Sequence, residues 1–286
     1  YTGITLAGRI VDGRIVEACG LARSHLVDDR LWVLNDGGSG AHLFAIDHEG
    51  KSLGSIELRD SNNRDWEDLA SFEHEGKAWL LVADIGDNSA LRRYCTLYIV
   101  EEPREVRGQS VVPARSLRFT YPDGPRDAES VSVDVDGGSV FVLVKRTIPA
   151  RLYRIQLFPA DDPADDVELQ LAESIGDITS IPQPGNWDIV NALARSSWHW
   201  QPTAMDFSRD GRRAAILTYV GLYVYKRNDD ASWFEALQQT PQSVSLGEIG
   251  LAEAVAFGPD DSIFVTVEGP SPPLYRAIPP SDPPGN

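Results

Sequence analysis

The stretch Glu67-Asp68-Leu69-Ala70-Ser71, followed downstream by Leu97-Tyr98-Ile99-Val100, decides the fold of this chain. The first phrase is an acidic residue followed by small and alternating apolar residues, and the second is built on a Leu-Tyr pair. Both phrases recur in the same order along the chain. The other copies of the first phrase begin at Glu17, Glu129, Thr203 and Glu253, and those of the second begin at Leu43, Leu152, Leu222 and Leu274. Two linked signals that repeat in one order predict five copies of one structural unit.

Each copy has the pattern of four short strands. An apolar run such as Val140-Phe141-Val142-Leu143-Val144 lies between the two phrases, and polar turns rich in Asp and Gly separate the runs. Repeated four-stranded units are typical of a β-propeller. We therefore predict an all-β fold, a β-propeller of five blades. Six blades is the alternative, but a sixth would have to lie in residues 176–200, which are too few and too interrupted by proline.

The predicted blades form a single domain spanning residues 1–286. They are expected to cover residues 17–60, 67–122, 129–175, 203–249 and 253–278. The fifth blade lacks an outer strand of its own, because residues 279–286 are a proline-rich tail that cannot donate a ladder of hydrogen bonds. We expect residues 4–10 to complete that blade and close the ring, which also covers an open sheet edge.

Composition limits the partners of the protein. The formal net charge is −17 at pH 7, and such a surface repels a phosphate backbone. No segment approaches the ~20 consecutive apolar residues of a membrane helix. We expect a monomer that binds neither nucleic acid nor membranes. The two cysteines, Cys19 and Cys95, fall at different radii of the predicted blades, which favours two buried thiols over a disulfide.

The repeat also predicts where a site lies. The first strand of each propeller blade lines the central channel, and the second strand ends at the face where the first begins. The first-strand starts include four glutamates, namely Glu17, Glu67, Glu129 and Glu253. The polar residues at the ends of second strands are Asn35, Asp36, Asp84, Asp87, Asn88, Lys145, Arg146, Tyr219 and Glu268. Four carboxylates around a narrow channel repel one another strongly and require compensation.

Three kinds of compensation remain open. Calcium prefers carboxylate oxygens, and its candidate ligands are Glu17, Glu67, Asp84, Asp87, Glu129 and Glu253. Alternatively, Lys145 and Arg146 pair with the carboxylates in a structural network. In the third case one or two glutamates are protonated, which suits acid–base chemistry, with Glu67, Glu129 and Lys145 as the catalytic candidates.

The connection at residues 176–202 adds aromatic candidates to the same face. Trp187, Trp198 and His199 are predicted to line the rim with Asn35, Asp36, Asn88, Arg146, Tyr219 and Glu268. Aromatic side chains at a rim stack on sugars or cover an apolar ligand. The alternative is a loop folded back onto the fourth blade.

Four motifs carry a resemblance to known proteins. They are Asp65-Trp66-Glu67-Asp68-Leu69-Ala70, Asp84-Ile85-Gly86-Asp87-Asn88, Asp127-Ala128-Glu129-Ser130 and Ala252-Glu253-Ala254-Val255-Ala256. The chain resembles uncharacterised bacterial secreted β-propeller proteins and, more remotely, the phytase-like and gluconolactonase-like propeller superfamily. The resemblance covers nearly the whole chain. It implies a secreted or periplasmic protein with calcium in or near the channel, and in some relatives hydrolysis of phosphoesters or lactones.

One departure from the phytase pattern concerns phosphate binding. Phytase-like pockets carry several Lys and Arg, whereas here only Lys145, Arg146, Arg92 and Arg93 are placed to contribute. We therefore predict a propeller with an acidic, calcium-binding channel mouth that binds a small ligand or a protein partner. The alternative is a metal-dependent hydrolase of a lactone, ester or phosphoester.

Overall fold

The structure is a computed structural model that describes residues 1, 3–106, 109–159, 169–185, 200–219 and 221–279. Strands and helices are numbered along the chain. The strands form five separate sheets, which are the blades, and the innermost strands contact one another in a closed ring. This arrangement confirms the predicted five-bladed β-propeller. In the described ranges, no helix is long and apolar enough to cross a membrane.

The blades follow one another along the chain, each starting with its innermost strand. Blade one contains β2 (Ala18–Arg23), β3 (Leu31–Asn35), β4 (His42–Ile46), β5 (Ser52–Arg59) and β9 (Gln109–Pro113). Blade two contains β6 (Trp66–His74), β7 (Lys77–Asp84), β8 (Cys95–Glu101), β10 (Arg115–Thr120) and β14 (Leu169–Leu171). Blade three contains β11 (Ala128–Asp134), β12 (Ser139–Val144), β13 (Ala150–Gln156) and β15 (Glu173–Ile178). Blade four contains β16 (Pro202–Phe207), β17 (Arg213–Thr218), β18 (Gly221–Lys226) and β19 (Gln242–Val244). Blade five contains β20 (Ala252–Phe257), β21 (Ile263–Val267), β22 (Pro273–Ala277) and β1 (Ile4–Arg9).

The amino-terminal strand closes the ring, as predicted. Strand β1 pairs antiparallel with β22, with Ile4 opposite Ala277 and Arg9 opposite Pro273. The hydroxyl of Tyr1 donates a 2.6 Å hydrogen bond to the carbonyl of Asp261 on the same blade. Blade five is therefore assembled from both ends of the described chain.

One outer strand differs from the predicted blade ranges. The run that ends at Leu171 lies within residues 129–175, the range predicted for blade three, but β14 pairs parallel with β10 of blade two. Strand β15 takes the outer position of blade three instead. Leu169 and Leu171 are exposed, so no buried face fixes their partner strand. In blade four, the outer strand β19 is three residues long and pairs antiparallel with β18.

Apolar side chains between neighbouring sheets form the core. Between blades three and four, for example, Phe141 and Leu143 pack with Met205 and Ile216. A single short helix in the described ranges, α1 (Trp233–Leu237), covers this cluster, and its Trp233 ring stacks on Phe207 with centroids 3.7 Å apart. Cys19 and Cys95 are free and buried, as expected. Each sheet buries apolar surface on both faces, and this burial stabilises the fold by ~25 cal/mol per Å². The stability of each blade therefore depends on its neighbours.

Candidate functional site

Each innermost strand begins with a β-bulge. The register shifts lie between Ala18 and Gly20, Trp66 and Asp68, Ala128 and Ser130, Pro202 and Ala204, and Ala252 and Ala254. The bulged residues are therefore Cys19, Glu67, Glu129, Thr203 and Glu253. A bulge re-aims the side chain of its extra residue. Electrostatic interactions join Glu67 to Glu129, Glu129 to Glu253, and Cys19 to both Glu67 and Glu253, which places these side chains around one channel mouth.

The expectation that Glu17 belongs to this ring is wrong. Its side chain is exposed, and it lies two residues before the bulge of blade one. Cys19 holds the equivalent position, and its thiol donates a 3.2 Å hydrogen bond to the carbonyl of Trp66. Burial, followed by the charges of Glu67 and Asp36, raises the pKa of the Cys19 thiol well above its usual value. Cys19 is therefore a neutral member of the ring.

Three carboxylates converge at the junction of blades one and two. Asp36 follows β3, Asp65 precedes β6, and Glu67 is the bulged residue of β6. One oxygen from each of them lies within 4.8 Å of the others. Glu67 is buried, and the two aspartates are partly buried. Among the described residues, this acidic triad has the geometry to hold a metal ion.

Two glycines allow the loops to approach the acidic triad. A side chain on Gly86 would place its Cβ 2.6 Å from Oδ2 of Asp65, and one on Gly37 would lie 2.8 Å from Oδ1 of the same residue. The side-chain amide of Asn63 donates 3.2 and 3.1 Å hydrogen bonds to the carbonyls of Asn35 and Asp36. The loop that carries Asp36 is therefore fixed in place before any ligand binds.

Burial and mutual repulsion disfavour the ionised form of Glu67 and Asp65. Burial is the main cause that raises the pKa of Glu67 well above its usual value, and Glu129, Asp36 and Asp65 raise it further. Burial and the nearby Asp36 likewise raise the pKa of Asp65. Like charges held together at reduced solvation favour either protons or a bound cation.

A second cluster joins Glu129, Lys145 and Tyr219. The Lys145 ammonium donates hydrogen bonds to Oε1 of Glu129 and, at 2.8 Å, to the hydroxyl of Tyr219. Burial raises the pKa of Glu129 to about 7, although Lys145 opposes the shift. Burial lowers the pKa of Lys145, but Glu129 and Tyr219 outweigh this, so its net pKa is raised. The ion pair of Lys145 with Glu129 is the structural compensation expected from the sequence. The carboxyl of Glu129 nevertheless keeps a pKa near neutrality.

Glu253 lies on the blade-five side of the mouth. Burial, followed by the charge of Glu129, raises its pKa to about 8. Among the described residues, no side chain donates a hydrogen bond to its carboxylate. Glu268, expected on the same rim, is exposed and adds a smaller repulsive contribution. Glu253 therefore holds a proton near neutral pH.

Asp84 and Asp87, predicted as metal ligands, are engaged by protein groups. Arg92 forms a 2.8 Å ion pair with Oδ1 of Asp84, which also accepts a 3.1 Å hydrogen bond from the backbone of Asp65. Asp87 accepts hydrogen bonds from the amides of Leu91 and Arg92, at 3.0 and 2.8 Å. Neither residue belongs to the acidic triad. Their contacts build the loop that supports it.

The remaining rim residues divide into structural and exposed groups. Oδ1 of Asn35 accepts hydrogen bonds from the amides of Val16 and Glu17 at 3.1 and 3.3 Å. Arg146 is exposed, and its guanidinium bonds to Asp127 and Asn88. The predicted aromatic residues Trp187, Trp198 and His199 lie outside the described residues.

Two buried carboxyl groups lie farther down the channel. Oδ2 of Asp68 accepts hydrogen bonds from the amides of Val131 in blade three, at 2.8 Å, and Met205 in blade four, at 3.3 Å. Oδ2 of Asp206 accepts a 2.7 Å hydrogen bond from the amide of Phe257 in blade five. These carboxyl groups accept hydrogen bonds from innermost-strand amides that have no hydrogen-bond partner within their own sheet.

Comparison with known proteins adds support for the fold. No family model matches the chain, and no curated protein sequence is significantly similar to it. A solved glucose dehydrogenase is 12% identical, with a TM-score of 0.50, over 96% of this chain and 99% of that chain. The PQQ-bound aldose sugar dehydrogenase of Streptomyces coelicolor is 12% identical over 96% and 97% of the two chains, with a TM-score of 0.47. A gluconolactonase of Xanthomonas campestris is 12% identical over 97% and 94%, with a TM-score of 0.46. At 12% identity, the likeness to the glucose dehydrogenase concerns the fold alone.

Proposed function

We propose that this propeller binds calcium at its channel mouth through Asp36, Asp65 and Glu67, and that the loaded site binds a small ligand or a protein partner. The observation that carries the proposal is the convergence of three carboxylates from two blades within 4.8 Å. Calcium–oxygen distances are ~2.4 Å, so two ligands on opposite sides of one ion are ~4.8 Å apart. The spacing therefore fits one ion.

The type and number of the ligands favour calcium. Carboxylate oxygens suit hard cations, and calcium accepts six to eight oxygens in flexible geometry, whereas magnesium requires a near-ideal octahedron. Three carboxylates leave coordination positions for water, backbone carbonyls or a ligand. An ion held this way would attract and orient an oxygen-rich molecule at the mouth. The secreted or periplasmic location implied by the resemblance stays a prediction.

Charge balance supports the same proposal. A divalent cation would offset the repulsion that raises the pKa of Glu67 and Asp65. Close packing of Gly37 and Gly86 against Asp65 leaves no room for larger side chains beside the acidic triad. Because the cation would bind the folded protein and not the unfolded chain, its binding should stabilise the fold by mass action.

Calorimetric titration of the cation-free protein with calcium chloride tests the proposal. We expect one bound ion per chain, a rise in melting temperature, and a loss of affinity of at least about tenfold in Glu67→Gln, equivalent to ~1.4 kcal/mol. Glu17→Gln is the matched control, because Glu17 is an exposed glutamate only two residues before Cys19 at the same mouth. Absence of binding in the wild-type protein, or an equal loss in Glu17→Gln, would contradict the proposal.

A second candidate function is hydrolysis of a lactone, ester or phosphoester beside the cation. The observation that favours it is Glu129, whose pKa of about 7 suits a general base and whose carboxylate contacts Lys145. Glu129 would take a proton from water, whose oxygen attacks the carbonyl or phosphoryl centre. The bond from that centre to the alcohol oxygen would then break, and the departing oxygen would receive the proton from Glu129. The cation, when bound, would supply charge stabilisation. Loss of hydrolysis in Glu129→Gln is the test of this candidate.

A further inference from the structure

A separate pocket lies at the opposite mouth of the channel. Its volume is about 240 Å³, and it is framed by the carboxyl ends of β2, β6, β11 and β16 with the turns that follow them. Four blades therefore contribute to its wall. The apolar part of the wall consists of Phe72, Val133, Val135, Phe207 and Trp233. It belongs neither to the acidic triad nor to the Glu129 cluster.

Arg23, at the end of β2, supplies a buried positive charge to this pocket. Arg23 is 5% exposed, and its Nη2 lies 3.0 Å from Nδ1 of His25. Burial, followed by the charge of Arg23, lowers the pKa of His25 to about 4, so the imidazole is neutral near pH 7. Within the described ranges, no carboxylate oxygen lies within 4.0 Å of the Arg23 guanidinium. Burial lowers the pKa of Arg23 and outweighs Asp206 and, more weakly, Glu73, which attract the guanidinium from a longer distance. A ligand anion in direct contact would relieve the cost of this burial.

A second buried donor in the same wall has no hydrogen-bond acceptor among the described residues. It is the indole N–H of Trp233, a residue that is 2% exposed. Its ring is fixed between Phe207, with centroids 3.7 Å apart, and the guanidinium of Arg227, 4.4 Å from the ring centroid. Buried polar groups normally have a hydrogen-bond partner, so an orphaned donor in a pocket wall points to a ligand acceptor.

The rim of the pocket is acidic. Glu73 contacts Arg209 at 2.6 Å and the ring of His25 at 3.3 Å. The other acidic residues of the lining are Asp134, Asp136, Asp206 and Asp210. Asp206 is the most buried of these, and its carboxylate accepts a hydrogen bond from the amide of Phe257. With Arg23 and Arg209 as the cations of the lining, this surface repels a polyanion and favours a ligand with one negative and one positive group.

We infer that this pocket binds a small zwitterion of the α-amino-acid type. Its carboxylate accepts hydrogen bonds from the forked guanidinium of Arg23, which matches a carboxylate in bidentate geometry. Its ammonium group faces Glu73 and the aspartates of the rim. An apolar side chain packs against Phe72 and Phe207. The assignment is independent of cation binding at the other mouth.

The test is calorimetric titration of the full chain with each of the twenty L-α-amino acids in turn. We expect at least one to bind with a Kd tighter than about 1 mM, the affinity equivalent to about −4.1 kcal/mol. The amide of that amino acid lacks the carboxylate, and its deamino analogue lacks the ammonium group. Both analogues should bind at least about tenfold more weakly.

Two variants and one control complete the experiment. Arg23→Lys keeps the charge but loses the fork, and Trp233→Phe removes the orphaned donor; both should weaken binding. Glu17→Gln, at an exposed residue near the other mouth, should leave it unchanged. Circular dichroism shows whether each variant is folded. If Arg23→Lys does not fold, the affinity of Trp233→Phe tests the proposal in its place. Absence of binding by every amino acid, equal binding of the amide, or unchanged affinity in a folded Arg23→Lys would overturn the assignment.

Discussion

Replacement of Asp68 by alanine should strongly destabilise the ring, because this carboxyl group bonds to amides of three blades. It accepts hydrogen bonds from Leu69 at 2.9 Å, Val131 at 2.8 Å and Met205 at 3.3 Å. Each buried amide left without an acceptor costs about 1–3 kcal/mol. We therefore expect Asp68→Ala to lower the free energy of unfolding by about 4 kcal/mol.

Asp206→Ala is the matched comparison, since Asp206 is also a buried carboxyl group of the channel but bonds to one neighbouring blade only. Its single inter-blade hydrogen bond, from the amide of Phe257, is 2.7 Å long. The expected cost is about 2 kcal/mol, roughly half that of Asp68→Ala. Asp68→Asn keeps one acceptor oxygen and should fall between the two.

Urea denaturation at pH 7, followed by far-ultraviolet circular dichroism and tryptophan fluorescence, measures these differences. The two signals must coincide for the unfolding free energies to be compared. A cost below about 1 kcal/mol for Asp68→Ala, or a greater cost for Asp206→Ala, would refute the idea that inter-blade amide capping sets the stability of the ring.

Two other predictions concern the channel mouth. The pKa of Glu253 is about 8 in the folded protein against an ordinary value of 4.5, so above pH ~4.5 the folded state keeps a proton that the unfolded chain has lost. The contribution of Glu253 to the stability of the cation-free protein should therefore be fully present below pH ~4.5 and be lost between about pH 4.5 and 8, by about 5 kcal/mol for the full shift. Glu253→Gln should flatten this profile in thermal melts, and a flat wild-type profile would contradict the assignment. If the protein is a hydrolase, Glu129→Gln should reduce kcat at least about 100-fold on whichever lactone, ester or phosphoester the wild type cleaves, while Glu17→Gln keeps full activity. Retained activity in Glu129→Gln would discard Glu129 as the base.

Much of the fold could be predicted because buried strands carry their own signal. Runs such as Val140–Val144 are apolar throughout, as expected for strands packed on both faces. The closing strand was predictable because the proline-rich tail cannot pair. The parallel outer strands β9 and β14 were not predictable, since exposed residues such as Leu169 and Leu171 do not specify a neighbouring sheet.

The site was harder to predict, because its residues depend on backbone register. Glu17 and Cys19 both precede alternating small and apolar residues, and the pairing of Ala18 with Asn35 shows that Cys19 is the bulged residue. One sequence signal was available: Leu21 follows Cys19 by two residues, as Leu69 follows Glu67. The metal-ligating potential of Asp65 was missed because its distance to Asp36 is set by packing between two blades.

The pairing of β1 with β22 has a consequence for how the molecule is made. On the ribosome, β1 must stay unpaired while the strands of four other sheets are synthesised, since its partner residues 273–277 follow all of them in the sequence. The long loop closure involved favours a late step in folding. Nascent chains that stop short of β22 would carry a free sheet edge, which makes them substrates for chaperones and prone to aggregation.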